Sequence, residues 1–536
     1  MDGPETNYSR HYELDGVGEV GSTSARHLAS QGPRNYRRTG IICTIGPKTS
    51  SLEALRELRA AGLSVVRLNF SHGDYESHRS VIKNVRELEK SQRGRPIAIA
   101  LDTKGPEIRT GMTRGGESVV ISAGKELVVT TDDAYAECCD GEYIYVDYKN
   151  IAHTAKPGQT IFIDDGTLEF EVQEILDQKS LRVRTPNGGI LRSKKGVNIP
   201  YANYDLPSLS VADRHDLRFG IENGVDMIFA SLVRSASDVH NVREGLGEEG
   251  KHIQVIAKIE DRKGLYACNE IIAAADGVMV ARGDFGVELP HAEVFVAQKK
   301  LISLCNLAGK PVICATQMLE SMIQNPRPTR AEISDVGNAI LDGADCVMLS
   351  KETSMGNYPV QAVREMHETC LVAEGTIPYL VRFEEVSGRV DRPVSVEEAC
   401  AMAAVRSSLH HGAGAIIVLS ASGETARLVS KYRPICPILM VSRNVSAAGH
   451  SHLSRGVYPF IYTGPKMESH QWRTEVDARV KWVITEAQNL RILNMSDPVV
   501  VVQGWKQEAG HTSIIRVLTP DAEAAVLSGA LEAPSP

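Results

Sequence analysis

Eight short apolar runs, each followed by a helical pattern, constrain the fold of this sequence more than any other feature. The runs are Ile41–Ile45, Ser64–Leu68, Ile97–Leu101, Asp226–Ala230, Val255–Ile259, Gly277–Val280, Val312–Ala315 and Cys346–Leu349. Amphipathic helical patterns lie between them, for example at Ser51–Ala61, Tyr75–Glu89 and Glu293–Ala308. Eight buried strands that alternate with helices favour a closed parallel (β/α)8 TIM barrel over an open sheet.

One long interval interrupts this alternation between the third and fourth strand signals. Residues 105–206 lack a convincing helical pattern and instead alternate apolar with polar residues, as in Thr167–Val172. A period of two is typical of half-buried strands, and Gly and Asp-Gly pairs supply the turns between them. We therefore expect an all-β domain over 105–206, inserted in a loop where it can act as a lid over the active face of the barrel.

The rest of the chain divides into two further parts. Gly388–Pro393 marks a boundary, after which new strand signals follow at Ala415–Leu419, Ile438–Ser442, Val457–Tyr462, Val499–Gln503 and Ile514–Leu518. These signals predict a C-terminal α/β domain over 386–536, and they leave 40–104 and 207–385 to the barrel. Residues 1–39 contain nine Gly, Pro or Asn residues without periodicity, which predicts a mobile N-terminal extension.

Charge and cysteine content exclude several classes of protein. The formal net charge of −8 over 536 residues gives no general attraction to nucleic acid or to anionic lipid. The ten cysteines lack paired spacing, which indicates a reduced protein rather than a disulfide scaffold. No apolar run approaches the roughly 18 residues of a membrane span, and the N-terminal residues lack the apolar region of a signal peptide. We therefore expect a cytoplasmic protein without nucleic-acid or membrane partners.

Polar side chains follow the predicted barrel strands at the points where the strands end. Arg67, Asn69 and Ser71 alternate along one face of an extended segment. Other strand ends carry charged or hydroxyl groups, namely Asp102, Thr103, Lys258, Glu260, Asp284 and Thr316. The C-terminal ends of barrel strands meet at one rim, where barrel enzymes place their chemistry.

The residue types at this rim favour metal-dependent phosphoryl transfer. Glu260 and Asp284 offer two hard oxygen ligands, which is the usual protein share of a Mg²⁺ shell. Four more oxygen-bearing residues suit a second hard cation, and these are Asn69, Ser71, Asp102 and Thr103. Positive charge for an anionic phosphoryl group comes from Lys258, Arg67 and Arg109. The chain has no Walker loop, HExxH, CxxC pair or GxSxG motif, which argues against a P-loop NTPase, a zinc enzyme or a serine hydrolase.

Several long motifs resemble those of the pyruvate kinase family. In chain order they are Thr44–Lys48, Arg67–Gly73, Leu101–Arg109, Lys194–Asn198, Lys258–Glu260, Val280–Asp284 and Ala315–Met322. The resemblance runs from about residue 39 to the C-terminus and includes the inserted β domain. It implies transfer of a phosphoryl group from phosphoenolpyruvate to ADP, giving pyruvate and ATP in the last step of glycolysis. It also implies a homotetramer in which the C-terminal domain binds an effector.

The resemblance assigns a role to each matching residue of the barrel and the lid. It implies that phosphoenolpyruvate is held by Arg67, Lys258, Gly283, Asp284 and Thr316. The catalytic residues among these are Arg67, Lys258 and Thr316. Lys258 would stabilise charge on the phosphoryl group, and a water beside Thr316 would protonate the enolate. Mg²⁺ or Mn²⁺ would bind Glu260 and Asp284, while K⁺ would bind Asn69, Ser71, Asp102 and Thr103. The nucleotide phosphates would meet Arg109 and Lys195 as the lid closes.

Two further regions resemble regulatory features of the family. Glu107 is the residue found in potassium-dependent members, whereas potassium-independent members carry Lys there. Positions that bind fructose 1,6-bisphosphate in activated members correspond to Ser420, Ser422, Gly423, Thr425, Trp472, Arg479 and Lys506. The turn Ser420–Thr425 lies between a strand signal and a helix signal, where backbone N–H groups can receive a phosphate.

The sequence departs from the family pattern at three positions. Lys351 replaces the Gly of the motif Leu-Ser-Gly-Glu-Thr, so we expect a loss of backbone freedom and an added charge beside the rim. Glu424 and Glu508 lie in the predicted effector loops, where the family prefers small residues. Because a carboxylate repels a nearby phosphate, we expect intact catalysis and weakened effector control.

Two alternative functions remain open from the sequence. The first is another Mg²⁺-dependent enolate enzyme on a barrel, such as a phosphoenolpyruvate mutase or an aldolase. The lid with Arg109 and Lys195 argues against it, because only a nucleotide-using enzyme needs those cations. The second is a catalytically weak paralogue with a regulatory role, which Lys351 alone supports.

Overall fold

The computed structural model describes residues 36–91, 95–164, 166–202, 204–506 and 510–519. Its first three strands are β1 (Gly40–Thr44), β2 (Val65–Asn69) and β3 (Ala98–Asp102), and they alternate with the helices Leu52–Ala61 and Tyr75–Ser91. Local signals set such bounds. Ser51 caps the first helix because its hydroxyl accepts from the N–H of Ala54 at 3.2 Å, and Gly62 ends the helix with a φ of 127°.

A domain of nine strands interrupts the barrel after β3. They are β4 (Ile108–Arg109), β5 (Val119–Ile121), β6 (Glu126–Thr130), β7 (Tyr143–Tyr145), β8 (Thr160–Ile163), β9 (Leu168–Ile175), β10 (Ser180–Arg184), β11 (Gly189–Leu191) and β12 (Gly196–Asn198). Seven form a sheet in the order β4-β12-β8-β9-β10-β6-β7, and β11 pairs with β5. Among its described residues this domain also has the short α-helix Ile151–Thr154 and two 3₁₀ helices, Arg114–Gly116 and Asp133–Tyr135. It packs its own core around residues such as Phe170 and Val183.

The chain then returns to the barrel and completes it. The remaining strands are β13 (Met227–Ala230), β14 (Gln254–Ile259), β15 (Gly277–Ala281), β16 (Val312–Ala315) and β17 (Cys346–Leu349). The helices of this part are Val211–Glu222, Ala236–Leu246, Arg262–Tyr266, Cys268–Ala274, Arg282–Glu288, Val294–Ala308, Arg330–Asp342, Lys351–Ser354 and Pro359–Gly375. The closed order β1-β17-β16-β15-β14-β13-β3-β2 confirms the predicted TIM barrel, with every strand found within one residue of its predicted ends.

A second α/β domain follows the barrel, as predicted. The helices Tyr379–Arg389 and Val396–His411 lead to β18 (Ala415–Leu419), β19 (Ile438–Ser442), β20 (Val457–Ile461), β21 (Val499–Gly504) and β22 (Thr512–Leu518). The sheet order is β20-β19-β18-β21-β22, with β22 antiparallel to β21 and the other pairs parallel. The helices between these strands are Glu424–Lys431, Val445–Ser451 and Trp472–Asn489. None of the described helices has the length and apolar character of a membrane span.

Alternation along the barrel strands positions the polar side chains. One row of residues packs outward against the helices, and the other fills the interior with an apolar cluster that includes Val65, Ala100 and Ile256. Because every second residue shares a face, the interior row continues into Arg67, Asp102 and Lys258 near the C-terminal ends of the strands. Charged groups therefore cover the upper end of an apolar interior.

Residues 36–39 belong to the folded body rather than to an extension. Arg38 is buried, and the Glu374 carboxylate accepts from its backbone N–H at 2.9 Å and from its guanidinium at 3.2 Å. The same carboxylate accepts from the N–H of Thr39 at 2.7 Å. The predicted extension over 1–39 is therefore wrong for residues 36–39, and residues 1–35 lie outside the described part of the chain.

The C-terminal domain contributes to the base of the barrel. Leu453, which follows the helix Val445–Ser451, is fully buried within the apolar cluster of the barrel interior. Its carbonyl and that of His452 accept from the thiol of Cys346 at 3.6 Å each. Cys346 is the first residue of β17, so these contacts lie at the end of the barrel opposite the polar rim.

Candidate active site

The charged residues at the C-terminal rim form one connected network. Asp102 lies at its centre, since one carboxylate oxygen accepts from Arg67 Nε at 2.6 Å and the other from Lys258 Nζ at 3.0 Å. Lys258 Nζ also lies 3.0 Å from Glu260 Oε1 and donates to the hydroxyl of Ser231 at 2.7 Å. The structure thus brings four of the predicted site residues together around a single ammonium group.

Burial makes these charges depend on one another. Burial disfavours the ionised form of Asp102, yet the charges of Arg67 and Lys258 outweigh it and hold the pKa of Asp102 below its ordinary value. Burial also opposes the charge of Lys258, but Asp102 and Glu260 raise the pKa of its ammonium overall. For Glu260 burial wins, and its pKa is raised despite Lys258. The two carboxylates therefore favour the charged form of Lys258 and hold its ammonium between them.

Ser231 is a member of this network that the sequence pattern does not reveal. It directly follows β13, and its hydroxyl donates to the carbonyl of Thr103 at 2.6 Å while it accepts from Lys258. A small uncharged residue at a strand end carries little signal by itself. Its position after a buried strand, on the face that also carries Phe229, is the only clue.

Four oxygen-bearing residues cluster where β2 and β3 end. Asn69 and Asp102 are register partners in the two paired strands. Asn69 Oδ1 accepts from the N–H of Ser71 at 3.1 Å, and Thr103 follows Asp102 directly with its N–H bonded to the carbonyl of Phe229 at 3.0 Å. The atoms available as metal ligands are hydroxyl, amide, carboxylate and carbonyl oxygens, which fit a hard cation such as K⁺.

Glu260 and Asp284 follow the adjacent strands β14 and β15. Glu260 is buried, whereas Asp284 is exposed in the first turn of the helix Arg282–Glu288, close enough to raise the pKa of Lys258. Within the described ranges, no group of three His, Cys, Asp or Glu side chains forms a metal site. Two carboxylates fit Mg²⁺, which commonly completes its shell with substrate and water.

The segment after β16 has an unusual backbone. Thr316 and Gln317 have φ angles of 75° and 55°, in the left-handed region that residues other than Gly rarely adopt. Gly283 lies against this segment, because a Cβ atom added there would stand 2.7 Å from Thr316 Cγ2. A side chain at position 283 would displace Thr316, so the glycine is required for the close approach of the two loops.

The lid carries Arg109 at the end of β4 and Lys195 directly before the neighbouring strand β12. Arg109 donates to the carbonyl of Lys194 at 2.8 Å and pairs with Glu107, while Lys195 pairs with Asp164 at 2.9 Å. These contacts lie within the lid. His72, which follows β2, has its pKa lowered first by burial and next by the charge of Arg109, so the lid cations face the rim at this strand.

Lys351 occupies ordinary helical backbone. It begins the helix Lys351–Ser354, and its φ is not among the positive values of the described residues. The expected backbone constraint from replacing Gly by Lys is therefore wrong, since an α-helical residue needs no glycine. The side chain of Lys351 is exposed, so the substitution adds a charge without altering the path of the chain.

The turn Ser420–Thr425 is held by its own hydroxyl groups. Ser420 Oγ accepts from the N–H of Gly423 at 3.0 Å, and Gly423 has a φ of 87°. Glu424 turns toward the next helical turn, where its carboxylate pairs with Arg427, with one contact to Nε at 3.0 Å. The predicted repulsion from Glu424 is thus partly neutralised by a neighbouring cation, while Glu508 lies outside the described residues.

The remaining predicted effector residues lie on the helix Trp472–Asn489 and beside β21. Trp472 Nε1 donates to the carbonyl of Gly504 at 3.1 Å. Arg479 pairs with the buried Glu475, and its guanidinium lies 5.5 Å from the ring centre of Trp472. Lys506 lies 5.3 Å from the ring centre of Trp505. The indole of Trp472 and the guanidinium of Arg479 therefore contact each other.

The chain is similar to known proteins over most of its length. The family model described as "Pyruvate kinase, barrel domain" matches residues 36–363, and "Pyruvate kinase, alpha/beta domain" matches residues 398–518. The chain is 58% identical over 510 residues to a pyruvate kinase of Hypocrea jecorina, which covers 95% of each chain. It is 56% identical to those of Candida albicans and Schizosaccharomyces pombe, over 91% and 90% of this chain and 96% and 95% of theirs.

A buried carboxylate, Glu288, lies where the lid rejoins the barrel. Burial and the charge of Asp261 raise the pKa of Glu288 to about 7, against a hydrogen bond with Asn198 at the end of β12. Arg234 completes this junction, because it pairs with Asp261 at 2.5 Å and its guanidinium lies 5.1 Å from the ring centre of Tyr204. A titratable group thus sits at the base of the lid.

Replacement of Glu288 by Gln should change how stability depends on pH. The pKa of Glu288 rises from 4.5 to about 7 on folding, so its contribution is complete below the lower value and is lost as pH rises through the upper one. We expect the free energy of unfolding of Glu288→Gln, minus that of wild type, to increase across this interval in urea titrations. The exposed Glu293→Gln is the control, and a difference for Glu288→Gln that stays constant with pH would contradict the assignment.

Proposed function

This chain belongs to the pyruvate kinase family and transfers a phosphoryl group from phosphoenolpyruvate to ADP, and we propose that the network around Lys258 carries out that transfer. The observation that supports the proposal is a buried ammonium held within 3.0 Å of both Asp102 and Glu260 at the rim beneath the lid. In phosphoryl transfer, catalysis consists mainly of positioning and charge stabilisation. A fixed cation at the site of developing charge provides both.

Lys258 and Arg67 face the phosphoryl group in this proposal. The two cations neutralise the phosphoryl oxygens. Asp102 keeps the distance between the two cations constant, since its carboxylate contacts each of them at 3.0 Å or less. Members of this family generally require a divalent metal and potassium. We assign Mg²⁺ or Mn²⁺ to Glu260 and Asp284, where it would supply positive charge beside the same oxygens. We assign K⁺ to the cluster of Asn69, Ser71, Asp102 and Thr103.

The other end of the substrate lies at the segment that contains Thr316. Gly283, Asp284 and Thr316 hold the three-carbon unit, and their support is the close approach of Gly283 to Thr316 Cγ2. Transfer leaves the enolate of pyruvate, and a water beside Thr316 gives a proton to its methylene carbon. The carbon–carbon double bond supplies the electron pair of the new C–H bond, and the enolate oxygen becomes the carbonyl of pyruvate. The hydroxide left from the water takes a proton from solvent. Arg109 and Lys195 bind the nucleotide phosphates from the lid.

Three further properties extend the proposal. We assign the enzyme to the cytoplasm and to a homotetramer, on the strength of its similarity to the family. We also assign fructose 1,6-bisphosphate to the C-terminal domain, at Ser420, Ser422, Gly423, Thr425, Trp472, Arg479 and Lys506. The support is a turn whose N–H and hydroxyl groups precede the helix Glu424–Lys431.

The proposal is tested by a coupled assay of pyruvate formation. Purified enzyme with phosphoenolpyruvate, ADP, Mg²⁺ and K⁺ should form pyruvate and ATP in equal amounts. A protein that consumes phosphoenolpyruvate without ADP would instead be an enolate enzyme of another type. A protein with negligible turnover would be a regulatory paralogue. The helical backbone of Lys351 removes the backbone constraint expected there and leaves only its added charge as a reason to expect one.

Lys258→Met should abolish most phosphoryl transfer and leave the protein folded. Methionine keeps the length of the side chain but removes the charge, and a positioned cation of this kind is commonly worth about 100-fold in kcat. The exposed Lys263→Met is the matched control, because it removes a charge from the helix that follows the same strand. More than about a tenth of wild-type kcat in Lys258→Met would exclude Lys258 from the mechanism.

Wild-type enzyme should depend strongly on K⁺, and Glu107→Lys should relieve that dependence. A lysine ammonium beside the oxygen cluster would supply the positive charge that the bound ion provides. We expect removal of K⁺ to lower the rate of wild type by at least about tenfold and that of the variant by less. Glu117→Lys, an exposed site on the lid, makes the same charge change and should keep the full dependence. Equal wild-type rates with and without K⁺ would rule out the cation site.

Fructose 1,6-bisphosphate should activate the enzyme weakly. We expect the charge of Glu424 to oppose a phosphate at this turn, although Arg427 offsets part of it. Glu508 is included on the sequence pattern alone, since it lies outside the described residues. The double variant Glu424→Thr, Glu508→Gly should therefore reach half-maximal activation at about a tenth of the wild-type concentration. Titration at sub-saturating phosphoenolpyruvate measures this. If wild type responds at micromolar effector and the variant is no better, the two carboxylates do not face the phosphates.

A further inference from the structure

Arg282 forms hydrogen bonds with the loop that carries Thr316. It is the first residue of the helix Arg282–Glu288, and its Nε and Nη2 atoms donate to the carbonyl of Thr316 at 3.2 and 2.8 Å. Nη2 also donates to the carbonyl of Gln317 at 3.2 Å. The guanidinium of Arg282 therefore contacts Thr316 and Gln317, the two residues of this loop whose backbone lies in the left-handed region.

The guanidinium is itself held from the opposite side. Its Nη1 atom donates to both carboxylate oxygens of Asp335, at 2.9 and 2.7 Å, and to Gln298 Oε1 at 3.3 Å. Asp335 lies on the helix Arg330–Asp342, whose first turn is fixed by a capping box between Thr329 and Glu332. Nη1 is thus held by two helices while Nε and Nη2 contact the loop, so the guanidinium is held from both sides.

Glu352 holds the far end of the same loop. Its fully buried carboxylate accepts from the N–H of Leu319 at 3.1 Å and from the N–H of Ser350 at 2.7 Å. A cation thus binds the carbonyls at the start of the loop, and a carboxylate binds an amide at its end. The loop cannot shift toward either neighbouring strand without breaking one of these contacts.

These contacts are important because the backbone conformation of Thr316 is energetically unfavourable by itself. A positive φ is strained for a β-branched residue and persists only where the surroundings enforce it. If the carbonyls of Thr316 and Gln317 were released, the loop would relax to an ordinary conformation. The Thr316 side chain would then leave its position against Gly283.

The geometry points to Arg282 as a positioning residue for Thr316 in the protonation step. It acts through two backbone carbonyls and an anchor on Asp335, and it is not itself assigned a contact with the substrate. The inference rests on the proposed function, in which Thr316 lies beside the water that protonates the enolate of pyruvate. Loss of Arg282 should therefore impair proton transfer to carbon more than nucleotide binding.

The test separates proton transfer from the overall reaction. Deuterium incorporation into the methyl group of pyruvate, followed by proton NMR in D₂O with Mg²⁺, K⁺ and inorganic phosphate, reports the protonation step in reverse. We expect Arg282→Met to lower this rate by about 10- to 100-fold, because small misplacements near reacting atoms have effects of that size. The KM for ADP should stay within about twofold of wild type. Arg282→Lys should restore little, because an ammonium does not present the planar fork that spans two carbonyls.

A matched control is available at the other end of the barrel. Arg243 donates to the carbonyl of Ala274 at 3.2 Å and pairs with Asp276 at 2.9 Å, just before β15 begins. Arg243→Met removes a similar pair of contacts far from Thr316. It should leave the deuterium exchange rate within about twofold of the wild-type rate. Asp335→Asn loosens the anchor of Arg282 without removing it. This variant should show a smaller loss in the same direction, and it preserves the test if Arg282→Met does not fold.

A double variant distinguishes the possible failures. On a Thr316→Val background, Arg282→Met should lower the exchange rate no further than about twofold, since it acts through Thr316. If the two losses multiply instead, or if Arg282→Met exchanges as fast as wild type while Thr316→Val is slow, Arg282 does not position Thr316. If Thr316→Val itself exchanges normally, the assigned role of Thr316 is wrong, and the inference about Arg282 fails with it.

Discussion

The ammonium of Lys258 remains charged inside the barrel because two carboxylates lie 3.0 Å from it. A single charge above an apolar interior would be costly, since burial penalises ions far more than neutral polar groups. Asp102 compensates the charges of two cations, because one of its oxygens accepts from Arg67 and the other from Lys258. The ends of β2, β3 and β14 are thereby tied together, and the rest of the rim is arranged around this electrically balanced group.

The fold could be predicted from the sequence because burial leaves a clear pattern. The barrel strands are mostly apolar on both faces, so the eight runs stand out from the helical patterns between them, and polar residues occur mainly near the strand ends. The same pattern predicted most of the candidate site, because the polar residues at strand ends continue the interior row. Arg67, Asp102 and Lys258 are examples, each at an even spacing from an apolar interior residue of its own strand.

What the sequence could not predict depends on contacts between distant residues or on local backbone. Ser231 carries no charge and stands out only once β13 is known to lie beside β3. The contact of Arg38 with Glu374 joins residues far apart in the chain, so nothing near residue 38 marks it as buried. Lys351 suggested a constrained backbone by comparison with glycine, but its helical conformation accepts any side chain. Glu288 gave no signal, because its raised pKa comes from burial and from Asp261.

Leu453 has a consequence for the synthesis of the protein. This residue packs among the interior side chains of the barrel, yet the last barrel strand ends at Leu349. A nascent chain therefore leaves the ribosome with all eight strands complete but with the lower end of its barrel open to water. Side chains at this lower end, such as that of Cys346, reach their final packing only when much of the C-terminal domain has emerged. Until then the barrel is an unfinished intermediate with exposed apolar surface, the type of species on which chaperones act.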